Sequence, residues 1–153
     1  MEIIKYRTEL DENFHNILVE EERKHCFSKV MDTPEKFFKL MTDTYRLNKQ
    51  AEEYLYMVAL DRKCSVLGVF EIAHGQVSSC YYTPREIFIR ALLCGAASIV
   101  LIHNHPSQDT MPSKSDFNAA QNIYEACKMM GLHLTDFIIV GENFLSFKKE
   151  GYI

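Results

Sequence analysis

Several classes of protein are excluded by what the 153-residue sequence lacks. No apolar run approaches the roughly 18 residues that a helix needs to cross a bilayer. The first 14 residues mix charged and apolar side chains and contain no signal-peptide core. No Cys-x-x-Cys pair occurs among the five cysteines, so neither a disulfide framework nor a cysteine zinc knuckle is indicated. We therefore expect a cytoplasmic protein without membrane contact, whose cysteines are mostly small buried apolar residues.

An excess of basic residues is also missing. The formal net charge is −4 and the isoelectric point is near 5.9. Proteins that bind nucleic acid through its phosphates usually carry a basic surplus. Binding to nucleic acid would need a local basic face, and the overall charge does not favour it.

Repeats, low-complexity segments and long linkers rich in Pro, Gly or Ser are absent as well, and the chain length fits one domain. Residues 1–31 are the least regular part and are predicted to be an N-terminal arm or extension. Within them, residues 16–20 are typical of a short strand. Residues 20–29 either continue this strand or form a charged helix. The main domain is predicted to span residues 32–153.

The pattern after residue 31 is mixed α/β. Helix starts are indicated by an oxygen cap before Pro34, by a capping box at Thr83–Glu86, and by Ser113. The last two helices are expected to end near Gly95 and Gly131, because glycine favours helix C-termini. Strands are predicted at residues 53–60, 65–72, 76–82, 97–102, 137–140 and 144–147. This order predicts a single three-layer α/β domain with a mixed β-sheet flanked by helices.

The segment His103-Asn104-His105-Pro106 carries the most chemical information. It ends a buried strand, where ligands bind in open α/β sheets, and its two histidines point to one side because strand side chains alternate. Asp116 follows in the first turn of a helix, where the helix dipole keeps a carboxylate ionised. Catalytic zinc usually has three imidazole or carboxylate ligands and one water. The sequence therefore favours a metal site formed by His103, His105 and Asp116.

Each part of this pattern also has a purely structural explanation. Two histidines spaced by one residue are common without a metal. Asp116 fits equally the far half of a capping box that begins at Ser113. The combination of aligned histidines, a strand-ending proline and a capped carboxylate favours the metal site over these alternatives.

The order H-x-H-P, six residues, S-x-x-D resembles the metal motif of the JAMM (MPN-plus) metalloproteases. The wider sequence is similar to the RadC-like branch of that fold at residues 83–88, 103–107 and 146–151. The resemblance covers about residues 33–153. It implies the JAB/MPN fold, which is similar to that of cytidine deaminases.

The resemblance also implies a role for each site residue. His103, His105 and Asp116 would bind Zn²⁺, and Ser113 would hydrogen-bond the zinc water or the developing oxyanion. Such an enzyme hydrolyses a peptide or isopeptide bond with a zinc-activated water.

The family also has an acid near the start of the first long strand, which serves as general base and acid. Glu53 matches that position, and its neighbour Glu52 would face the other way. Glu71, on the partner strand, is the second candidate. Glu86 is explained by its capping box.

The sequence departs from the RadC-like pattern at Thr83 and Phe137, where histidine is usual, and at Gln108, where glycine is usual. No departure removes a predicted metal ligand, although each could change the pocket or its specificity. RadC-like proteins typically carry an N-terminal helix-hairpin-helix region as well. We expect this chain to be too short to contain one.

Three classes of function follow from these observations. The first is a zinc metallohydrolase with a peptide or protein substrate. The second is a DNA-repair-associated protein acting on or near nucleic acid, and the third is a metal-free binding module. An HNH nuclease is excluded because the three motif residues of those enzymes are separated in sequence, whereas His103, Asn104 and His105 are consecutive here. A zinc deaminase is excluded because its H-x-E and P-C-x-x-C motifs are absent. The oligomeric state is left open.

Overall fold

The computed structural model describes residues 1–75 and 82–153, and the strands within these ranges form one sheet. They are β1 (Glu2–Leu10), β2 (Asn16–His25), β3 (Glu53–Leu60), β4 (Val66–Gly75), β5 (Ser98–Asn104), β6 (His133–Val140) and β7 (Phe144–Ser146). Their order across the sheet is β2-β1-β4-β3-β5-β6-β7. The β1–β4 and β5–β6 pairs are parallel and the other pairs are antiparallel, so the sheet is mixed.

Helices cover both faces of this sheet. They are α1 (Pro34–Asp43), a 3-10 helix (Leu47–Lys49), α2 (Pro84–Leu93), α3 (Lys114–Met130) and α4 (Phe147–Glu150). The first two pack on one face, and α2, α3 and α4 pack on the other. The predicted class, a single three-layer α/β domain with a mixed sheet, is therefore confirmed.

Alternation along the central strands divides the core into two parts. In β3, Tyr56 and Val58 pack toward α1, whereas Leu55 and Met57 pack toward α2 and α3. β5 is buried on both faces, as its apolar sequence predicted. The side chain of Leu101 lies on the α2–α3 side of the sheet. Because strand side chains two residues apart point to the same face, the side chain of His103 is expected on that side as well.

The N-terminal residues form a β-hairpin, and the charged-helix alternative for residues 20–29 is wrong. The strand that begins at Asn16 continues to His25 and pairs along its length with β1. β1 in turn joins β4, where Ile3 is buried and the ring of Tyr6 stacks on Phe70. Gly68 permits this contact, since a Cβ there would lie 2.8 Å from the Tyr6 ring. The division of the chain at residue 31 stays a prediction.

Most local start and stop signals are confirmed. Thr83 caps α2 in a capping box with Glu86, and α3 ends at Gly131 in the left-handed conformation. α1 does begin at Pro34, but the side chain of Thr33 makes no capping hydrogen bond, so that detail is wrong. The strand predicted at residues 76–82 lies almost entirely outside the described residues.

The described residues contain no helix that is long and apolar enough to cross a membrane. Cytoplasmic localisation stays a prediction. The four cysteines in the described part of the chain are free thiols, and two of them, Cys26 and Cys127, are buried.

Candidate metal centre

The three predicted metal ligands lie together at the end of β5. The side chains of His103, His105 and Asp116 each offer one ligand atom, and these atoms lie within 4.8 Å of one another. Nε2 of His103 is 3.1 Å from Oδ1 of Asp116, and Nε2 of His105 is 3.5 Å from Oδ2. The strand end supplies the histidines and the first turn of α3 supplies the carboxylate.

Asp116 acts as a helix cap and faces the histidines at the same time. Its Oδ2 accepts hydrogen bonds from the backbone N–H of Ser113 at 2.7 Å and from the Ser113 hydroxyl at 2.6 Å. Its Oδ1 faces His103. The capping box and the approach to the histidines were alternatives in the sequence, and the structure contains both.

The ring of His105 is oriented by the loop that follows it. Its Nδ1 lies 2.6 Å from the backbone carbonyl of Asp109, so this nitrogen carries the proton and donates it. The backbone N–H of His105 donates to the carbonyl of Val140 at 2.9 Å. Nε2 faces Asp116 and is the ring nitrogen available to bind a metal, which is the usual arrangement of a metal-binding histidine.

The donor set fits a zinc ion. His103 is only 6% exposed, and its Nε2 has no partner in hydrogen-bond geometry among the described residues, even though Asp116 is close. A buried ring nitrogen without a partner is costly, and a metal ion would satisfy it. Donor atoms on tetrahedral zinc with bonds of about 2.0–2.1 Å lie roughly 3.3 Å apart. The separations of 3.1 Å and 3.5 Å, which run to different oxygens of Asp116, are near this value, and the three ligand atoms as a set lie within 4.8 Å of one another.

The charges within the site are strongly coupled. Burial raises the pKa of the Asp116 carboxyl, but the nearby His103 and His105 outweigh it and hold that pKa well below its usual range. The same contact with Asp116 raises the pKa of His105, against the opposing effect of burial. Asp116 is thus held ionised, as a metal ligand must be.

Glu53 lies beside this cluster. It begins β3, which runs antiparallel to β5 so that Leu55 pairs with His103. Burial raises the pKa of Glu53, and the charges of His103 and His105 partly oppose this. Leu55 lies on the same face as His103, and strand alternation places the Glu53 side chain on that face as well.

Glu71 lies on the other side of the sheet. Its Oε2 is 3.0 Å from Nζ of Lys5 and 3.3 Å from the hydroxyl of Tyr56, whose ring packs with the α1 core. His74 contacts its second oxygen at 3.1 Å. Glu71 is therefore occupied in an ion pair that joins the hairpin to β4.

Comparison with known proteins agrees with the motif. A family model described as RadC-like JAB domain matches residues 31–152, most of the chain. The chain belongs to the RadC-like JAB domain family. The candidate ligands of this JAB domain all lie within the matched residues.

Relatives of this JAB domain include UPF0758 proteins from bacteria and archaea. One from Clostridium perfringens is 42% identical over 118 residues, which are 76% of this chain and 51% of the relative. One from Clostridium acetobutylicum is 39% identical over 103 residues, or 67% and 45% of the two chains. One from Methanosarcina acetivorans is 32% identical over 146 residues, or 95% and 60%. The chain thus spans about half the length of the curated relatives it matches.

Sequence reasoning gave no role to Asn104, which is 1% exposed. Its Oδ1 accepts from the backbone N–H of Tyr54 at 2.8 Å, and its Nδ2 donates to the carbonyl of Glu52 at 2.9 Å. The sequence did contain a signal for such a role, because Asn104 is a polar residue between two candidate ligands at the end of an otherwise apolar strand.

Two of the residues that depart from the RadC-like pattern lie beside the candidate metal centre. The ring of Phe137 lies 5.8 Å from that of His103, so an apolar ring covers the histidine. Gln108 adopts the left-handed conformation with φ of 68°, where glycine is usual, and its side-chain amide reaches the carbonyls of Asn48 and Pro106. Both residues shape the loop and wall around the candidate ligands.

Proposed function

We propose that the protein is a zinc-dependent metallohydrolase of the JAMM type that cleaves a peptide or isopeptide bond. The observation that supports this most is the convergence of His103, His105 and Asp116, with a buried Nε2 of His103 that lacks a hydrogen bond within the described residues. Membership of the RadC-like JAB family adds support, because the motif resembles that of the JAMM metalloproteases.

The chain's own residues suit this chemistry. Zinc bound at these ligands would polarise a carbonyl group and lower the pKa of water toward about 7. Burial raises the pKa of Glu53, which makes its carboxylate a better proton acceptor than an exposed one. Glu53 would take a proton from the attacking water and deliver it to the leaving amine.

Ser113 has two uses in this proposal. Its hydroxyl donates to Asp116, and its backbone N–H holds the same carboxylate oxygen. Rotation of the hydroxyl would let it donate to the developing oxyanion while the backbone contact keeps Asp116 in place.

A peptide or protein substrate agrees with the net charge of −4 better than nucleic acid does. We therefore propose that the partner is a peptide or protein.

Metal content is the first measurement that tests the proposal. Protein purified without a histidine tag is expected to hold about one zinc per chain by elemental analysis. Asp116→Ala should lose it, whereas His133→Ala, which changes an exposed histidine outside the site, should keep it. A parent protein that remains free of zinc after reconstitution would contradict the proposal.

Turnover is measured next on quenched fluorescent peptides and lysine isopeptides. Glu53→Gln should keep zinc and lower kcat by at least about 10²-fold, because the general base is lost. Glu52→Gln, the matched change at the neighbouring exposed residue, should stay near the parent. Equal loss in both variants would show that Glu53 has no specific role.

A further inference from the structure

The side chain of Asn104 extends the hydrogen-bond ladder between β3 and β5. The last backbone pair of that ladder at this end joins Leu55 and His103. Beyond it, the Asn104 amide takes the place of a peptide group, accepting from the N–H of Tyr54 at 2.8 Å and donating to the carbonyl of Glu52 at 2.9 Å. We name this pair of contacts the Asn104 clamp.

The two backbone groups held by the Asn104 clamp belong to the residues on either side of Glu53. On its other edge, Glu53 pairs with Gly75 in the ladder with β4. The backbone of Glu53 is therefore fixed from both sides. Alternation along β3 then directs its side chain toward the face that carries His103.

Asparagine is the side chain that these two contacts require. The backbone N–H of Tyr54 can only donate and the carbonyl of Glu52 can only accept, so the partner must offer both an acceptor and a donor. Aspartate lacks the donor, and glutamine is one methylene longer. At 1% exposure, an amide without these partners would be costly to bury, so the clamp explains why a polar residue lies here.

The clamp also connects the backbone around the proposed base to the proposed ligands through two hydrogen bonds. Asn104 is the residue between His103 and His105, so a shift of its backbone moves both rings. We propose that Asn104 is a positioning residue whose amide fixes the backbone around Glu53 and so sets the distance between that carboxylate and the metal ligands. This inference rests on the proposed function, because it assigns Asn104 a role in the same site.

Asn104→Asp is the variant that tests the clamp, since it keeps the shape and removes the donor to Glu52. It should retain about one zinc per chain. A misplacement of the base by about 1 Å costs on the order of 10²-fold in rate, so kcat should fall to that extent while KM changes little.

Val100→Ala is the matched control. It lies in β5 on the same face as Asn104, is fully buried, and should lower the stability without touching the backbone of Glu52 or Tyr54. Its kcat should stay within a few-fold of the parent. An equal fall in kcat for Val100→Ala and Asn104→Asp would overturn the proposal, because general destabilisation would then explain both.

A second readout needs no substrate. In the parent, zinc should shift the ¹³C resonance of the Glu53 carboxyl, and Asn104→Asp should reduce that shift by at least half. An unchanged shift, with zinc still bound, overturns the positioning role alone. Absence of zinc in the reconstituted parent overturns the proposed function and this inference together, so the two failures are distinguishable.

Discussion

The carboxylate of Asp116 shows how one side chain can fulfil two structural requirements. Its Oδ2 satisfies backbone and side-chain donors of Ser113 at the start of α3 and lies near His105, and its Oδ1 faces His103. The sequence predicted the helix cap and the metal ligand only as alternatives, since local spacing cannot show that one carboxylate can serve as both. Three-dimensional placement of His103 was needed to join them.

Gly141 lies very close to the backbone of Gln108, in the loop that follows His105. A Cβ at this position would lie 2.5 Å from the backbone carbonyl oxygen of Gln108. Because a backbone atom cannot move aside as a flexible side chain can, Gly141→Ala should lower the free energy of unfolding by about 1–3 kcal/mol. Urea denaturation measures this.

Glu142→Ala is the control for this change, because it alters the next residue, which is exposed. It should stay within about 0.5 kcal/mol of the parent. Equal stability of Gly141→Ala and the parent would show that the loop at Gln108 can move away without cost.

At the scale of elements, helices were easier to predict than the hairpin. α2 and α3 are marked by capping boxes and glycine stops, which act between residues close in sequence. β2 is a run of charged residues whose strand conformation depends on pairing with β1. Local patterns left strand and helix open there, because the deciding contacts lie outside the segment.

The hairpin is tied to the rest of the sheet by the ion pair between Lys5 and Glu71. Burial raises the pKa of the Glu71 carboxyl, but Lys5 and His74 outweigh this and hold the pKa below its usual 4.5. A lowered pKa in the folded state means that the unfolded chain binds more protons in this range. The stabilisation is therefore present above about pH 4.5 and is lost as the pH falls through the folded pKa.

Glu71→Gln should reproduce this loss at neutral pH. The free energy of unfolding of the variant should be about 1 kcal/mol lower than that of the parent at pH 7. This difference should shrink as the pH falls below about 4.5. Urea titrations at several pH values measure it. Glu9→Gln, an exposed hairpin carboxylate, is the control and should show little difference at any pH. A Glu71→Gln difference that grows toward low pH would contradict the sign of this effect.

For the molecule as a whole, the motif in the sequence was enough to predict the class of fold and the grouping of the candidate ligands. His103, His105 and Asp116 lie within 14 residues of chain, so strand and helix rules could bring them together. The Asn104 clamp joins residues 50 and 52 positions apart. Such a contact depends on the register of β3 against β5, which alternation alone does not determine.

Zinc should stabilise the whole fold, because its candidate ligands join β5 to α3. At free zinc about 100 times its Kd, the free energy of unfolding should rise by roughly 2.7 kcal/mol, provided that the unfolded chain binds zinc weakly. Calorimetry with zinc and after chelation should show a higher Tm for the loaded protein. Asp116→Ala should show no such difference, and a zinc effect of equal size in that variant would place the stabilising ion elsewhere.

The position of β2 has a consequence for how the protein behaves at high concentration. Among the described strands, β2 is the last on its side of the sheet, and an open strand edge is a template for pairing with another chain. The exposed run Glu20-Glu21-Glu22-Arg23 lies on this edge. Two copies brought together there would have to desolvate charged side chains, many of them of like sign. The hairpin that was hardest to assign from sequence is thus suited to protect the sheet against aggregation.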